Sequence, residues 1–143
     1  MLRRAITFSQ LLLVSVTLLA SHAHAELLKL TCEIDHRVEW KAGARKDIYV
    51  SEKMQYVVDP EKMEYAAKTD AEKSWVVEQL FSSGSSEIVL INVITSYMYI
   101  RWHIDRITGE IHCTEKYVSD GVMRVCSGKC AKDDSLEWPR AKF

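Results

Sequence analysis

A chain of 143 residues, 48% of them hydrophobic and 27% charged, has the make-up of a folded globular protein and not that of a disordered tail. Its 19 Lys and Arg nearly balance 20 Asp and Glu, for a formal charge of −1, and no basic stripe is visible, which disfavours nucleic acid as a partner.

Residues 1–25, MLRRAITFSQLLLVSVTLLASHAHA, have a basic start at Arg3 and Arg4, an apolar core over residues 11–20 and the small-x-small run Ala23-His24-Ala25. That is the layout of a secretory signal peptide, and the mature chain is expected to begin at Glu26. The apolar core falls short of the roughly 20 residues a membrane span needs, and no later segment reaches that length without a charge or amide, so no membrane span is expected after signal removal. Cys32 does not follow the apolar core directly, since Glu26 and Lys29 intervene, which argues against a lipid-modified cysteine. A periplasmic or secreted product is expected. Without the two signal arginines, 17 Lys and Arg face 20 Asp and Glu, a charge near −3. Residues 26–143 make one domain, large enough to bury a core yet small enough to gain from covalent links.

All four cysteines, Cys32, Cys113, Cys126 and Cys130, lie in that mature part. A redox pair would be Cys-x-x-Cys at the start of a helix, whereas "CSGKC" has three residues between its sulfurs, Gly128 among them, and no helical pattern after it. A zinc clip would need further ligands at compatible spacing, and the mature histidines are only His36, His103 and His112. An even cysteine count in an exported small domain reads instead as a disulfide framework.

Along the chain nearly everything reads as strand. "LLKLTCEIDHRVEW" puts Leu28, Leu30, Cys32 and Ile34 on one face with Lys29, Thr31, Glu33 and Asp35 on the other, the period of a half-buried strand. "KAGARKD" reads as a polar loop, and "IYVSEKMQYVV" as a second strand with Ile48, Val50, Met54, Tyr56 and Val58 on one side, ended by Pro60. "KMEYAAK" is a third. Residues 69–81 suit either a helix, with Thr69 and Glu72 as a capping box, or a strand; a strand after a short helical turn is the preferred reading. "EIVLINVITSYMYIRWHIDR" is too long for one strand, so a bend, bulge or turn is expected near Thr95 and Ser96.

Two hairpins should close the domain. In "IDRITGEI" the turn falls on 106–109, and requiring Ile104 and Ile111 both to face the core puts Trp102 opposite Cys113 inside and His103 opposite His112 outside. Ser119-Asp120-Gly121 suits a three-residue turn with a G1 bulge, which pairs Val118 with Val122 and points Met123 and Val125 inward. The expected fold is mainly β: a single antiparallel twisted sheet, or a barrel-like or sandwich domain, of roughly six to eight strands, disulfide-stapled, with at most one short helix.

The order "LTC", "IDRITGEI", "SGKC" and a terminal "AKF" resembles a group of uncharacterised small exported bacterial proteins with an L-x-C first strand, an I-D-R-x-T-G hairpin and a G-x-C last strand. The resemblance covers both ends of the mature chain, leaves residues 36–96 unmatched, and implies a fold and a cysteine pairing but no activity. It is silent on Cys113 and Cys126. The expected pairing is Cys32 with Cys130, tying the first strand to the last, and, outside the resemblance, Cys113 with Cys126 across the final hairpin. A direct bond between Cys126 and Cys130 would close a very small loop and so remove little unfolded-chain entropy. The Ser-Asp-Gly register, however, turns Cys126 away from Cys113, and the pairing needs a local twist near Gly128 or a two-residue Asp-Gly turn.

Chemistry is sparse. No nucleophile elbow, His-Glu-x-x-His, phosphate-cradling glycine loop or recognisable carboxylate pair occurs in the mature chain, so no enzyme and no cofactor are expected. His103 and His112, opposite on one sheet face, are the candidate metal ligands, with Asp105 or Glu110 as a third; the plain alternative is a pair of exposed strand residues. Tyr97, Tyr99, Arg101 and His103 form the candidate binding strip, because Tyr and Arg are enriched where interfaces concentrate their energy; its alternative is a barrel interior. The expected function is an exported, non-catalytic binding or interaction module, inhibitor- or immunity-type, facing an envelope or extracellular protein. A small-ligand or metal carrier on a barrel-like fold is the alternative.

Overall fold

The computed structural model describes residues 26–72 and 74–140; the expected signal peptide, Lys73 and residues 141–143 lie outside the described residues. The described chain forms β1 (Leu28–Lys41), β2 (Ala44–Asp59), β3 (Glu64–Thr69), β4 (Val76–Gln79), β5 (Ser82–Ser83), β6 (Glu87–Ile94), β7 (Met98–Asp105), β8 (Glu110–Tyr117) and β9 (Val122–Lys132). They pair antiparallel in one sheet ordered β4-β3-β2-β1-β9-β8-β7-β6-β5. The nine strands exceed the expected six to eight because the short β4 and β5 are separate edge strands, and no described residue is helical.

The sheet curls strongly into a half-barrel, and the chain itself shows how far. β4 and β5 sit at opposite edges yet only Leu80 and Phe81 lie between them. The Leu80 N–H donates to the Met63 carbonyl at 2.8 Å, beside β3, while the Phe81 N–H donates to the Val89 carbonyl at 3.1 Å on β6. Consecutive amides thus reach the two ends of the sheet.

The concave face holds the core. Leu30, Cys32 and Ile34 of β1, Tyr56 and Val58 of β2, and Ile104, Ile111, Cys113 and Cys126 beyond them are all buried in one cluster. The alternation read for the first strand, for Met54, Tyr56 and Val58, and for the β7–β8 hairpin therefore holds; Ile104 lies opposite Ile111 and Trp102 opposite Cys113. Two disulfides, Cys32–Cys130 and Cys113–Cys126, join residues that are direct cross-strand partners in β1–β9 and β8–β9.

Two local expectations are corrected. "KAGARKD" is mostly strand: β1 runs to Lys41, β2 starts at Ala44, and the turn is only Ala42 and Gly43, with φ of 50° and 79° as a two-residue hairpin requires. The last hairpin has Tyr117 opposite Val122, not Val118 opposite Val122, so its loop takes four residues. Val122 is consequently buried and Met123 turns outward, and the same shift of one residue points Cys126 inward at Cys113. For residues 69–81 the preferred reading of a strand after a short turn holds: a turn at 69–72 precedes β4, with the Glu72 N–H donating to the Thr69 carbonyl and the Thr69 N–H to the Glu72 carboxylate, each at 3.1 Å.

The long segment 87–106 breaks where expected. Thr95 Oγ1 accepts from the Tyr97 and Met98 amides at 3.2 and 3.0 Å and folds the chain back between β6 and β7. The C-terminal segment lies along the outer side of β1–β3: the Asp133 N–H donates to the Lys29 carbonyl, Thr31 Oγ1 donates to the Asp133 carboxylate at 2.6 Å, and Lys62 Nζ sits 5.6 Å from the Trp138 ring. Val57 and Ala66, which alternate away from the main core, are fully buried on that side.

Candidate functional site

The convex face is organised in rows of cross-strand neighbours, which share a face and touch side by side. One row runs Val89, His103, His112, Ser127, His36 and Tyr49 across β6, β7, β8, β9, β1 and β2. All three histidines among the described residues therefore stand in line. A one-residue bulge at Asp35 in β1 brings His36 into that line, since the register shifts between Ile34 and His36. At this bulge β1 comes so close to β9 that only a glycine fits: a Cβ on Gly128 would lie 2.0 Å from the Glu33 carbonyl oxygen.

His103 and His112 stack with centroids 5.2 Å apart, and His36 and Tyr49 do the same at 5.2 Å. Each histidine has an acid nearby: Asp47 at 3.1 Å from His36, Glu87 at 3.8 Å from His103 and Glu110 at 3.4 Å from His112. Burial holds the His103 imidazole below the usual histidine range, against the opposing pull of Glu87, and its Nδ1 is buried without a hydrogen-bond partner. Among the described residues no group of three or more His, Cys, Asp or Glu side chains is placed to hold a metal ion, so His103 and His112 are brought together as a stacked pair without a converging third ligand.

A second row, toward the hairpin tips, runs Ile94, Tyr99, Lys116, Met123, Trp40 and Arg45 over the same strands. Ile94 is 71% exposed and Met123 37%, with Tyr99 and Trp40 half-buried beside them and the Arg45 guanidinium 5.9 Å over the Trp40 ring. Between the two rows stand Arg101, Thr114, Val125 and Val38. Of the sequence-derived strip, Tyr99, Arg101 and His103 do lie on this convex face, opposite the inward Trp102 and Ile104, and Tyr97 is exposed in the β6–β7 turn. Arg101 is not free: its Nη2 donates to both oxygens of Glu87, at 2.9 and 3.0 Å.

Trp40, Met123 and Ile94 were missed as partners of Tyr99 from sequence. Their placement depends on the Ala42-Gly43 turn and the four-residue last loop, the two hairpins whose registers were misread. The adjacent ion pair of Arg124 with Glu39, 2.8 Å on the opposite face, holds the Glu39 carboxyl below and the Arg124 guanidinium above their ordinary values through their hydrogen bond.

The concave side carries the other candidate. A cavity of about 270 Å³ lies where β4 faces β6, walled by Tyr56, Tyr65, Leu90, Ile91 and Trp102, with Thr69, Glu72 and Glu78 as its polar residues. Among the described residues, β4 pairs only with β3 and β5 meets β6 only at Val89 and Ile88, so no strand seals β4 against the Ile91 end of β6. The Tyr65 hydroxyl donates to the Glu78 carboxylate, and burial together with this bond raises the Tyr65 phenol above its ordinary value. Tyr56 is 2% exposed, and among the described residues its hydroxyl has only the Met54 thioether, at 3.4 Å, as a partner. These residues also went unnoticed in sequence, because alternation marks them simply as core. No protein-family model matches the chain, and no curated protein matches it either.

Proposed function

We propose that the mature protein is an exported, non-catalytic binding module that engages an envelope or extracellular protein through the convex face of its half-barrel. The observation that carries this reading is the row Ile94, Tyr99, Lys116, Met123 and Trp40, an apolar and aromatic band on the side of the sheet facing away from the core. Large aromatic and Met side chains are enriched at protein interfaces, as is arginine, here Arg45 over the Trp40 ring. Two disulfides support an oxidising, extracytoplasmic setting, as such bonds are rare in the cytosol, and the signal-like residues 1–25 support export by the same route.

The test is site-specific photo-crosslinking in the native envelope, with the probe at Lys116 in the band and, as a control, at exposed Asp70 in the β3–β4 turn. A discrete protein adduct from Lys116 alone, abolished by Trp40→Ala with Tyr99→Ala in a protein of unchanged thermal midpoint, is the expected result. Equal labelling from both positions, or an adduct that survives the double replacement, overturns the reading.

A further inference from the structure

We propose that the cavity between β4 and β6 is a binding site for a small organic cation, an ammonium carried on a compact apolar or aromatic body. The site is on the concave side and is independent of the convex-face reading. Three features of its walls select this class.

Size comes first. At about 270 Å³ the cavity falls just below the roughly 300–1,000 Å³ of drug-sized ligand pockets, and suits a smaller molecule. The body would lie against Leu90, Ile91 and the rings of Tyr56, Tyr65 and Trp102. The Trp102 Nε1–H is already used, donating to Glu115 at 3.1 Å, so the indole offers the cavity apolar surface and no competing donor.

Charge comes second. The charged residues lining the cavity, among the described residues, are Glu72 and Glu78, both acids, and no base accompanies them. Glu72 is tied to the Thr69 amide, whereas Glu78 takes one hydrogen bond from Tyr65 and keeps acceptor capacity to spare. Aromatic walls beside a carboxylate attract cations by the ring quadrupole as well as by the charge.

The third feature is an under-used polar group. Tyr56 is almost wholly buried, yet among the described residues its hydroxyl meets only a thioether, a weak acceptor. Buried hydroxyls normally have a full partner. An ammonium placed here would donate to the Tyr56 oxygen and to Glu78 together, satisfying a group the protein alone leaves nearly idle. The gap between β4 and the Ile91 end of β6 provides the way in without unfolding either strand.

Isothermal titration of the disulfide-intact mature protein with phenethylamine, phenethyl alcohol and phenylacetate tests this. Saturable one-to-one binding of phenethylamine, at least tenfold tighter than phenylacetate, is expected. Glu78→Gln, which keeps an acceptor for Tyr65, should weaken the amine at least tenfold and leave the alcohol unchanged, and Val76→Phe at the exposed cavity wall should block both. Comparable affinity for all three probes, an amine affinity indifferent to Glu78→Gln, or no saturable binding by the folded protein overturns the proposal.

Discussion

His103 of β7 and His112 of β8 stack across the hairpin with their ring planes 28° apart, and the His103 Nδ1 is buried without a partner. The pair sits on the convex face with Glu87 and Glu110 at its edges. The His103 imidazole resists protonation chiefly because burial disfavours its charged form.

This gives a prediction with a definite sign. Burial lowers the folded-state pKa of His103 below the ordinary histidine value of about 6.5, so the unfolded chain takes up that proton at higher pH than the folded one. The stability contributed by neutral His103 is therefore complete above about pH 6.5 and is lost as pH falls through the depressed folded value. Urea unfolding at pH 7.5 and at pH 5 should show the native protein losing more stability on acidification than His103→Gln. Parallel pH curves for the two proteins would show that the ring does not titrate as described.

Arg101 supplies a second. Its guanidinium occupies both oxygens of Glu87 and adds a repulsive charge near His103. Arg101→Ala removes that charge and leaves the Glu87 carboxylate to act on the imidazole alone, so the His103 pKa should rise. An NMR titration of the His103 ring protons reads this directly. The stability cost should stay within about 1 kcal/mol, the usual range for a pair this exposed.

The strand alternation could be read from sequence because one face of each strand is dry: Leu30, Cys32 and Ile34, or Ile104 with Ile111, leave no freedom of register. Hairpin tips carry no such constraint. Ala42 takes a positive φ that alanine seldom adopts, and the loop at 118–121 closes with the Gly121 N–H on the Val118 carbonyl at 3.4 Å, a four-residue form that Ser-Asp-Gly does not distinguish from a three-residue one. A difference of one residue there decides whether Met123 faces the core or lines up with Trp40. The cavity was unreadable for a different reason: it exists because β4 and β5 lie on opposite edges of a curled sheet, a relationship between residues far apart in pairing order though adjacent in chain. The histidine row needed the bulge at Asp35, which no residue type announces.

Gly128 is the point at which β9 fits against that bulge. A methyl group there would lie 2.0 Å from the Glu33 oxygen and 2.7 Å from the Ile34 Cα, both backbone atoms that cannot swing aside. Gly128→Ala should therefore cost several times the ~1 kcal/mol typical of a point substitution, and disturb the neighbouring His36 register as well. Gly43→Ala makes the control, since nothing lies within 4 Å of its Cβ position and only its φ of +79° opposes the change. Denaturant midpoints that rank Gly43→Ala as the worse of the two would contradict the close approach at β1.

The two disulfides should differ in what they contribute. Cys32 and Cys130 are 98 residues apart in sequence and clamp the first strand to the last, while Cys113 and Cys126 are 13 apart and lie within one hairpin. In the loop-closure description the longer link removes more freedom from the unfolded chain, about 4.7 kcal/mol against about 2.9 kcal/mol. Both pairs are cross-strand partners in the core, so the native state loses similar packing in either case. Replacing Cys32 and Cys130 together by alanine should thus cost about 2 kcal/mol more than replacing Cys113 and Cys126. Paired replacements are the cleaner comparison, since a single one leaves a free thiol able to attack the other bridge. Urea unfolding of the two double variants, with non-reducing peptide maps to confirm the remaining bond, measures the difference. Equal losses would mean that β1 and β9 stay associated in the unfolded chain without their link, because the entropy of the long loop would then already be spent before folding begins.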